Sequence, residues 1–210
     1  MPKAPRAGRR GTGRTWLIVV SMLVVLAASL AIDGPLARAV AKHPPAISPA
    51  LLIMFRLAGY VPVWLIVAGA LILVDAEAGW RRSWRRGASL IATVVLSGLA
   101  AEVLKIVVRR ARPGAEGTYV FRSSGDGMFS SSGLGWPSSH AAVAFGAVWV
   151  LCFLFPRATS VWLIVGIGCG LTRIAVNDHF ASDVVSAAII AYLVAAGVRR
   201  LTTPRAETAD

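Results

Sequence analysis

Long uninterrupted apolar runs are the feature that most limits how this chain can fold. The first run, residues 16–32, has 17 residues and no charge. A helix rises 1.5 Å per residue, so about 20 such residues cross the ~30 Å hydrocarbon core of a bilayer. Five comparable runs follow. The predicted fold is therefore an all-α integral membrane protein with six transmembrane helices, at about residues 16–32, 57–74, 88–108, 141–155, 161–177 and 183–198.

The composition agrees with a membrane protein. Apolar residues make up 56% of the chain and charged residues 15%, whereas soluble domains average nearer 45–50% and 25%. A net charge of +12 would suggest a nucleic-acid partner in a soluble protein. Here most basic residues lie in short tails and loops between apolar runs, so we expect a bilayer around the chain and no nucleic-acid partner. We expect Cys152 and Cys169, both inside apolar runs, to be buried free thiols.

The segments between the runs predict a single membrane domain with two tails. The first run has a competing interpretation as a cleaved signal peptide, because Ser29-Leu30-Ala31 resembles a small-residue cleavage site. Five further runs favour a membrane span instead. The predicted parts outside the spans are a basic cytoplasmic tail (1–15), a Pro-containing connection with an interfacial helix near 47–57 (33–56), a polar loop (109–139) and a second cytoplasmic tail (199–210).

The distribution of basic residues predicts the orientation. Of 22 Lys and Arg residues, 13 lie in the two tails, in residues 81–86 and at Arg157. Cytoplasmic loops carry an excess of Lys and Arg, so both termini are predicted to be cytoplasmic, in the cell membrane. With six spans, three short polar segments at the opposite helix ends then face outward.

The first polar segment contains Lys105, Arg112 and Pro113. Lys105 and Arg112 are seven residues apart, so they share one face if that stretch is helical, with Pro113 ending the helix. The alternative is that both cations reach toward lipid headgroups.

The second segment, Pro137-Ser138-Ser139-His140, directly precedes the fourth predicted span. Pro and Ser are typical of helix starts, and the free N–H groups there bind anions. A simple serine cap beside an interfacial histidine is the alternative.

The third segment contains Arg173, His179 and Asp183. If the stretch is helical, Asp183 lies one turn from His179 and can accept a hydrogen bond from one imidazole nitrogen, which leaves the other nitrogen as a nucleophile. Arg173 suits phosphate oxygens. The chain has only three histidines and no carboxylate cluster beside them, so no metal site is predicted.

Together, Lys105-x6-Arg112-Pro113, Pro137-Ser138-Ser139-His140 and Arg173-x5-His179-x3-Asp183 resemble the three-part signature of the type 2 phosphatidic acid phosphatase (PAP2) superfamily. The resemblance covers roughly residues 60–198. That family includes six-span lipid phosphatases and the soluble vanadium haloperoxidases. The resemblance implies the helical core that these proteins share, an outward-facing site, a lipid phosphate substrate and no cofactor.

The resemblance also implies a role for each matching residue. His179 would attack phosphorus and form a phosphohistidine, oriented by Asp183, and His140 would protonate the leaving oxygen. The phosphoryl oxygens would be bound by Lys105, Arg112, Ser138, Ser139 and Arg173. Phosphoryl transfer requires mainly positioning and positive charge, which three cations and a helix N-terminus supply without a metal.

Two departures and two alternatives accompany this interpretation. Ser139 stands where the family usually has Gly, and Thr172 stands where it usually has Ser. A catalytically silent scaffold or transporter subunit that binds lipid phosphates is the alternative from another class. A vanadate-dependent oxidase is a further alternative.

The predicted enzyme is a metal-independent hydrolase of a phosphomonoester or pyrophosphate of a lipid.

Overall fold

Seven α-helices form most of the structure, a computed structural model that describes residues 10–74, 79–123, 125, 127 and 130–202, with residues 10–15 described by their backbone only. Within that part of the chain, β structure is limited to two isolated bridges in the long loop. The predicted all-α class is therefore confirmed. The helices are α1 (Arg10–Lys42), α2 (Pro49–Leu57), α3 (Val61–Val74), α4 (Trp80–Val108), α5 (Ser139–Leu154), α6 (Thr159–Ala175) and α7 (Ala181–Thr202), with a 3-10 turn at Pro156–Ala158 before α6.

Within the described residues, four helical segments are long and apolar enough to cross a bilayer: Trp16–Lys42, Trp80–Val108, Pro156–Ala175 and Ala181–Thr202. Helices α2 and α3 add a fifth span if they are counted together, although they meet at a bend of 60°. Helix α5 has 16 residues and is shorter than a usual span. The multi-pass architecture follows from these segments, while the count of six spans is not confirmed and stays a prediction.

Helix α5 is the centre of the bundle. It packs against α4, α6 and α7, and ten of its 16 residues are buried. Small residues such as Ala144 and Ala147 let the neighbouring helices approach closely. The outer helices expose large apolar side chains, as at Ile66 and Val107, which suits contact with lipid. The open N-terminal end of α5 is thus surrounded by the helices that carry the polar segments.

Two predicted boundaries are wrong. Residues 33–42 were expected in a connection, but α1 continues through Pro35 to Lys42. Membrane helices tolerate proline, and Ala37 and Val40 on this extension are buried. Residues 80–86, expected in a loop, form the first turns of α4. The expected interfacial segment near 47–57 does contain a helix, α2.

The two predicted tails are only partly described. Residues 10–15 and 199–202 are helical, as extensions of α1 and α7 rather than separate tails. Residues 1–9 and 203–210 lie outside the described part of the chain. The division into tail, six-helix domain and tail remains a prediction.

Candidate active site

The three polar segments meet at one end of the bundle. Lys105 donates a hydrogen bond to the Ser139 hydroxyl, which joins the first segment to the second. The Ser138 backbone N–H donates to the Asp183 carbonyl at 3.2 Å, which joins the second to the third. Arg112 donates to Asp178 at 2.9 Å, which joins the first to the third. Every predicted site residue lies in or beside this cluster.

Lys105 lies in the last turn of α4 and is 7% exposed. Its Nζ contacts Glu102 Oε1 at 2.9 Å, one turn earlier on the same helix. Glu102 also accepts from the Ser139 hydroxyl. The side chain that Ser139 adds, relative to the usual Gly, is therefore part of a network with a buried cation and a carboxylate.

Arg112 does not lie on a helix with Lys105, contrary to the expectation of a shared helical face. Helix α4 ends at Val108, and Arg109 adopts a left-handed conformation with φ 56°. The chain then runs extended, with isolated bridges at Arg110 and Ala111. Arg112 still reaches the site, but from the loop, and its side chain is 44% exposed.

The second segment starts α5 as predicted. Ser138 is the N-cap residue, and its hydroxyl accepts from the Ala141 N–H at 3.4 Å. The first intrahelical bond is from Ala142 N to Ser138 O. The N–H groups of Ser139 and His140 thus lie at the open end of the helix, where the helix dipole favours an anion.

His140 is half-buried against the turn between α2 and α3. Its ring lies 5.0 Å from the Tyr60 ring in an edge-to-face arrangement. A Cβ at Gly59 would lie 2.7 Å from His140 Cδ2, so only glycine fits there. The turn after α2 therefore fixes the position of the imidazole.

Arg173, near the end of α6, is 3% exposed and donates to the Asp178 carboxylate. The other oxygen of Asp178 accepts from Arg112. One carboxylate thus bridges the two arginines that were expected to bind phosphate. Asp178 was not identified from the sequence, although it lies inside the third segment.

His179 is 3% exposed and lies in the short link between α6 and α7. Its Nδ1 is 3.4 Å from Asp183 Oδ2, longer than an ordinary hydrogen bond. Asp183 lies in the first turn of α7, fully buried, and the same oxygen accepts from the Phe180 N–H at 2.8 Å. Burial lowers the pKa of His179, with Asp183 opposing that change, so the imidazole is held in its neutral, nucleophilic form.

Asp183 has a cationic partner that was not predicted from the sequence. Arg110, 5% exposed, donates to the second oxygen of Asp183 and to the Ser182 hydroxyl at 2.8 Å. Its guanidinium lies over the Tyr119 ring at 4.8 Å and over the Phe180 ring at 5.2 Å. A buried arginine thus balances the buried carboxylate behind His179. Arg110 lies two residues before Arg112 in the sequence, and this proximity to a predicted site residue could have identified it.

Asp33 of α1 holds the start of α7. Its carboxylate accepts from the Ser182 N–H at 2.9 Å, from the Ser182 hydroxyl and from the Tyr119 hydroxyl at 2.8 Å. Partial burial, together with the hydrogen bond to Asp33, raises the pKa of Tyr119, so Tyr119 stays a neutral donor. Asp33 lies in a stretch predicted to be a connection and has no predicted role.

Buried polar atoms without a hydrogen-bond partner concentrate at this cluster. Among the described residues there are seven such side-chain atoms, and four belong to site residues: Arg110 Nε, His140 Nε2, Arg173 Nε and His179 Nδ1. Buried polar groups are normally paired, so this concentration marks a ligand site. No three His, Cys, Asp or Glu side chains in the described ranges form a group suited to a metal ion.

Comparisons with known proteins agree with this geometry. The family model of the PAP2 superfamily matches residues 86–207. A lipid A 1-phosphatase of Rhizobium johnstonii is 30% identical over 186 residues, covering 80% of this chain and 72% of that protein. A lipid A 1-phosphatase of Rhizobium etli is 33% identical over 140 residues, covering 59% of this chain and 58% of that protein.

A solved structure shares the fold. The first transmembrane PAP2-type phosphatidylglycerolphosphate phosphatase structure, from Bacillus subtilis, superimposes with a TM-score of 0.60 over 87% of this chain and 92% of that one, at 17% identity. The family match covers more than half of the chain and includes all three polar segments. The protein therefore belongs to the PAP2 superfamily.

Proposed function

We propose that this protein is an integral membrane lipid phosphatase that works through a phosphohistidine. The observation that carries the proposal is the cluster itself: His179 and His140 lie beside the open end of α5, among Lys105, Arg112 and Arg173. Family membership and the names of the relatives support the same reaction class.

The mechanism begins at the free nitrogen of His179. Its Nδ1 faces Asp183 at 3.4 Å, so Nε2 attacks phosphorus and the P–O bond to the lipid breaks. His140 protonates the departing oxygen, and then removes a proton from the water that hydrolyses the N–P bond. Arg110 keeps Asp183 in place behind His179.

The phosphoryl oxygens are held by cations and by the helix end. Lys105, Arg112 and Arg173 supply positive charge, while Ser138 and Ser139 hold the first turn of α5 in place. This arrangement stabilises charge that grows on the equatorial oxygens in the transition state. Asp178 occupies two of the cations, so the incoming phosphate must displace its carboxylate from them.

The substrate is a lipid because apolar space adjoins the polar cluster. A cavity of about 420 Å³ between α1, α5, α6 and α7 is lined almost wholly by apolar side chains, including Ile174 and Ala181. Ile174 directly follows Arg173, and Ala181 lies two residues before Asp183. An acyl chain in this cavity leaves its phosphate at the catalytic cluster.

We assign the site to the outer face of the cell membrane, with both termini in the cytoplasm. Arg86 and Lys105 lie 19 residues apart on α4, about 28 Å along the helix axis, which is close to the hydrocarbon thickness of a bilayer. The arginines at residues 81–86 mark the cytoplasmic end. Single cysteines placed at residues 157 and 118, in the protein with Cys152 and Cys169 replaced, should react with impermeant thiol reagents from opposite sides.

Phosphate release from a panel of lipids tests the function. The panel holds phosphatidate, phosphatidylglycerophosphate, a polyprenyl pyrophosphate and lipid A phosphorylated at position 1, the last suggested by the two relatives. Wild type should release phosphate from at least one lipid, and His179→Ala from none. Equal zero rates for both proteins on every lipid would leave the silent scaffold as the explanation. Vanadate should inhibit, whereas an oxidase would require it.

A further inference from the structure

A second cavity adjoins the catalytic cluster on the side of α2. It has a volume of about 210 Å³, several times that of a water molecule. Arg56 of α2 lines it on one side, and Thr172 and Arg173 of α6 line it on the other. Arg56 has no role in the proposed mechanism, and it lies outside residues 86–207, which the family model matches.

Arg56 is held in place by the packing of α2. A Cβ at Gly168 of α6 would lie 2.2 Å from Phe55 Cδ1, so the two helices are in close contact beside Arg56. After α2, the Trp64 indole N–H donates to the Ala58 carbonyl at 2.7 Å and fixes the bend into α3. The backbone that carries Arg56 therefore has a defined position relative to Arg173.

Two arginines present positive charge to the cavity, and Asp178 pairs with only one of them, Arg173. Within the described residues, no acceptor bonds to the Arg56 guanidinium. Arg173 is 3% exposed, and its Nε has no acceptor there either. With free donors on both arginines, the cavity suits an anionic group that extends from the phosphoryl site at Arg173 toward Arg56.

Arg56 lies on the same side of the cluster as His140. It also lines a neighbouring cavity of about 330 Å³ together with Tyr60, and the Tyr60 ring packs against His140 at 5.0 Å. In the proposed mechanism His140 protonates the leaving oxygen. Arg56 is therefore placed where the leaving group departs, rather than around the phosphoryl group that His179 attacks.

We propose that Arg56 binds a second phosphate carried by the leaving group, so that the protein prefers lipid pyrophosphates to lipid monophosphates. The inference rests on the proposed role of His140. Nε2 of His179 bonds to the terminal phosphorus while the bond from that phosphorus to the bridging oxygen breaks. The bridging oxygen leaves on the lipid monophosphate and takes the proton of His140. Arg56 stabilises the negative charge of this phosphate.

Anion binding tests the proposal without turnover. In the His179→Ala protein, which cannot form a phosphohistidine, calorimetry measures the affinity for inorganic pyrophosphate and for inorganic phosphate. Adding Arg56→Ala should weaken pyrophosphate binding roughly tenfold, the lower end of what a hydrogen bond to a charged group contributes, and change phosphate binding less than twofold. Arg56→Lys should restore part of the loss. Arg157→Ala removes the same charge at the other end of the bundle and should change neither affinity.

The proposal is overturned if Arg56→Ala leaves pyrophosphate binding unchanged, or if it weakens both anions equally. Turnover is measured separately, with a polyprenyl phosphate and the pyrophosphate of the same chain. Loss of preference for the pyrophosphate in Arg56→Ala supports the proposal, and retention of the preference contradicts it. If no lipid releases phosphate but the difference in anion binding persists, the phosphatase assignment fails while the anion site stands.

Discussion

Replacing Arg110 should show how much the buried charge pair behind His179 contributes to stability. In the Arg110→Met variant the Asp183 carboxylate, fully buried, loses its only described cationic partner and keeps the Phe180 N–H. Breaking a buried ion pair by removing one member costs about 3–5 kcal/mol, because a charge is left uncompensated. For a chain of about 200 residues, this corresponds to a fall of about 6–20 °C in Tm.

The double variant Arg110→Met with Asp183→Asn separates charge from packing. With both charges removed, the uncompensated carboxylate is gone, and most of the lost stability should return. The measurement is equilibrium unfolding of the purified protein in detergent micelles, with the four proteins of the cycle compared under one condition. Arg122→Met, a change at an exposed arginine of the same loop, is the control and should shift Tm by less than ~2 °C.

Two outcomes of this double-mutant cycle would contradict coupling between Arg110 and Asp183. If Arg110→Met unfolds within ~1 kcal/mol of wild type, or if the double variant loses the sum of the two single effects, the pair is not coupled. Activity adds a second readout, because Arg110 is a positioning residue. We expect Arg110→Met to lower kcat more than it raises KM, and Arg110→Lys to recover part of the rate.

Three further predictions concern the phosphate site. Arg173→Ala should lose about 10²–10³-fold in kcat/KM and the more exposed Arg112→Ala less, with normal membrane insertion of both; near-normal turnover of either contradicts the assigned pocket. Since burial lowers the pKa of His179 below 6.5, activity should hold as pH falls through 6.5 and decline only below it, and Asp183→Asn should move any residual acid limb lower still. An acid limb above pH 6.5 in wild-type kcat/KM refutes this assignment. Activity should survive EDTA, and a divalent-metal requirement at the chemical step would exclude a histidine nucleophile acting alone.

The helices were predictable because the bilayer limits what a backbone can do. A segment in hydrocarbon must satisfy its own hydrogen bonds, so apolar length predicts helices directly. The same physics explains the errors at the ends. Polar residues were treated as breaks, yet Asp33 and the extension to Lys42 are helical, because the partners of that carboxylate come from distant segments. Hydropathy carries no information about such partners.

The site was predictable where residue type alone limits the chemistry. His179, Asp183 and the capping Ser138 follow from their spacing and from helix-start chemistry, and the structure brings them together. Arg110 and Asp178 were missed because each is one more charged residue within a charged segment. Only the loop conformation after Val108 decides that Arg110 turns inward and Arg112 outward.

The bond between Asp33 and Ser182 has a consequence for biosynthesis. Asp33 is on α1, and its partner on α7 is synthesised 149 residues later. At roughly 5–20 residues per second, that interval lasts about 7–30 s. During this time α1 carries a carboxylate whose native donors, Tyr119 and Ser182, are not both available. Insertion of α7 therefore both satisfies Asp33 and aligns Asp183. Chains that stop before α7 should expose the unpaired carboxylate of α1 to membrane quality control rather than accumulate as partly active enzyme.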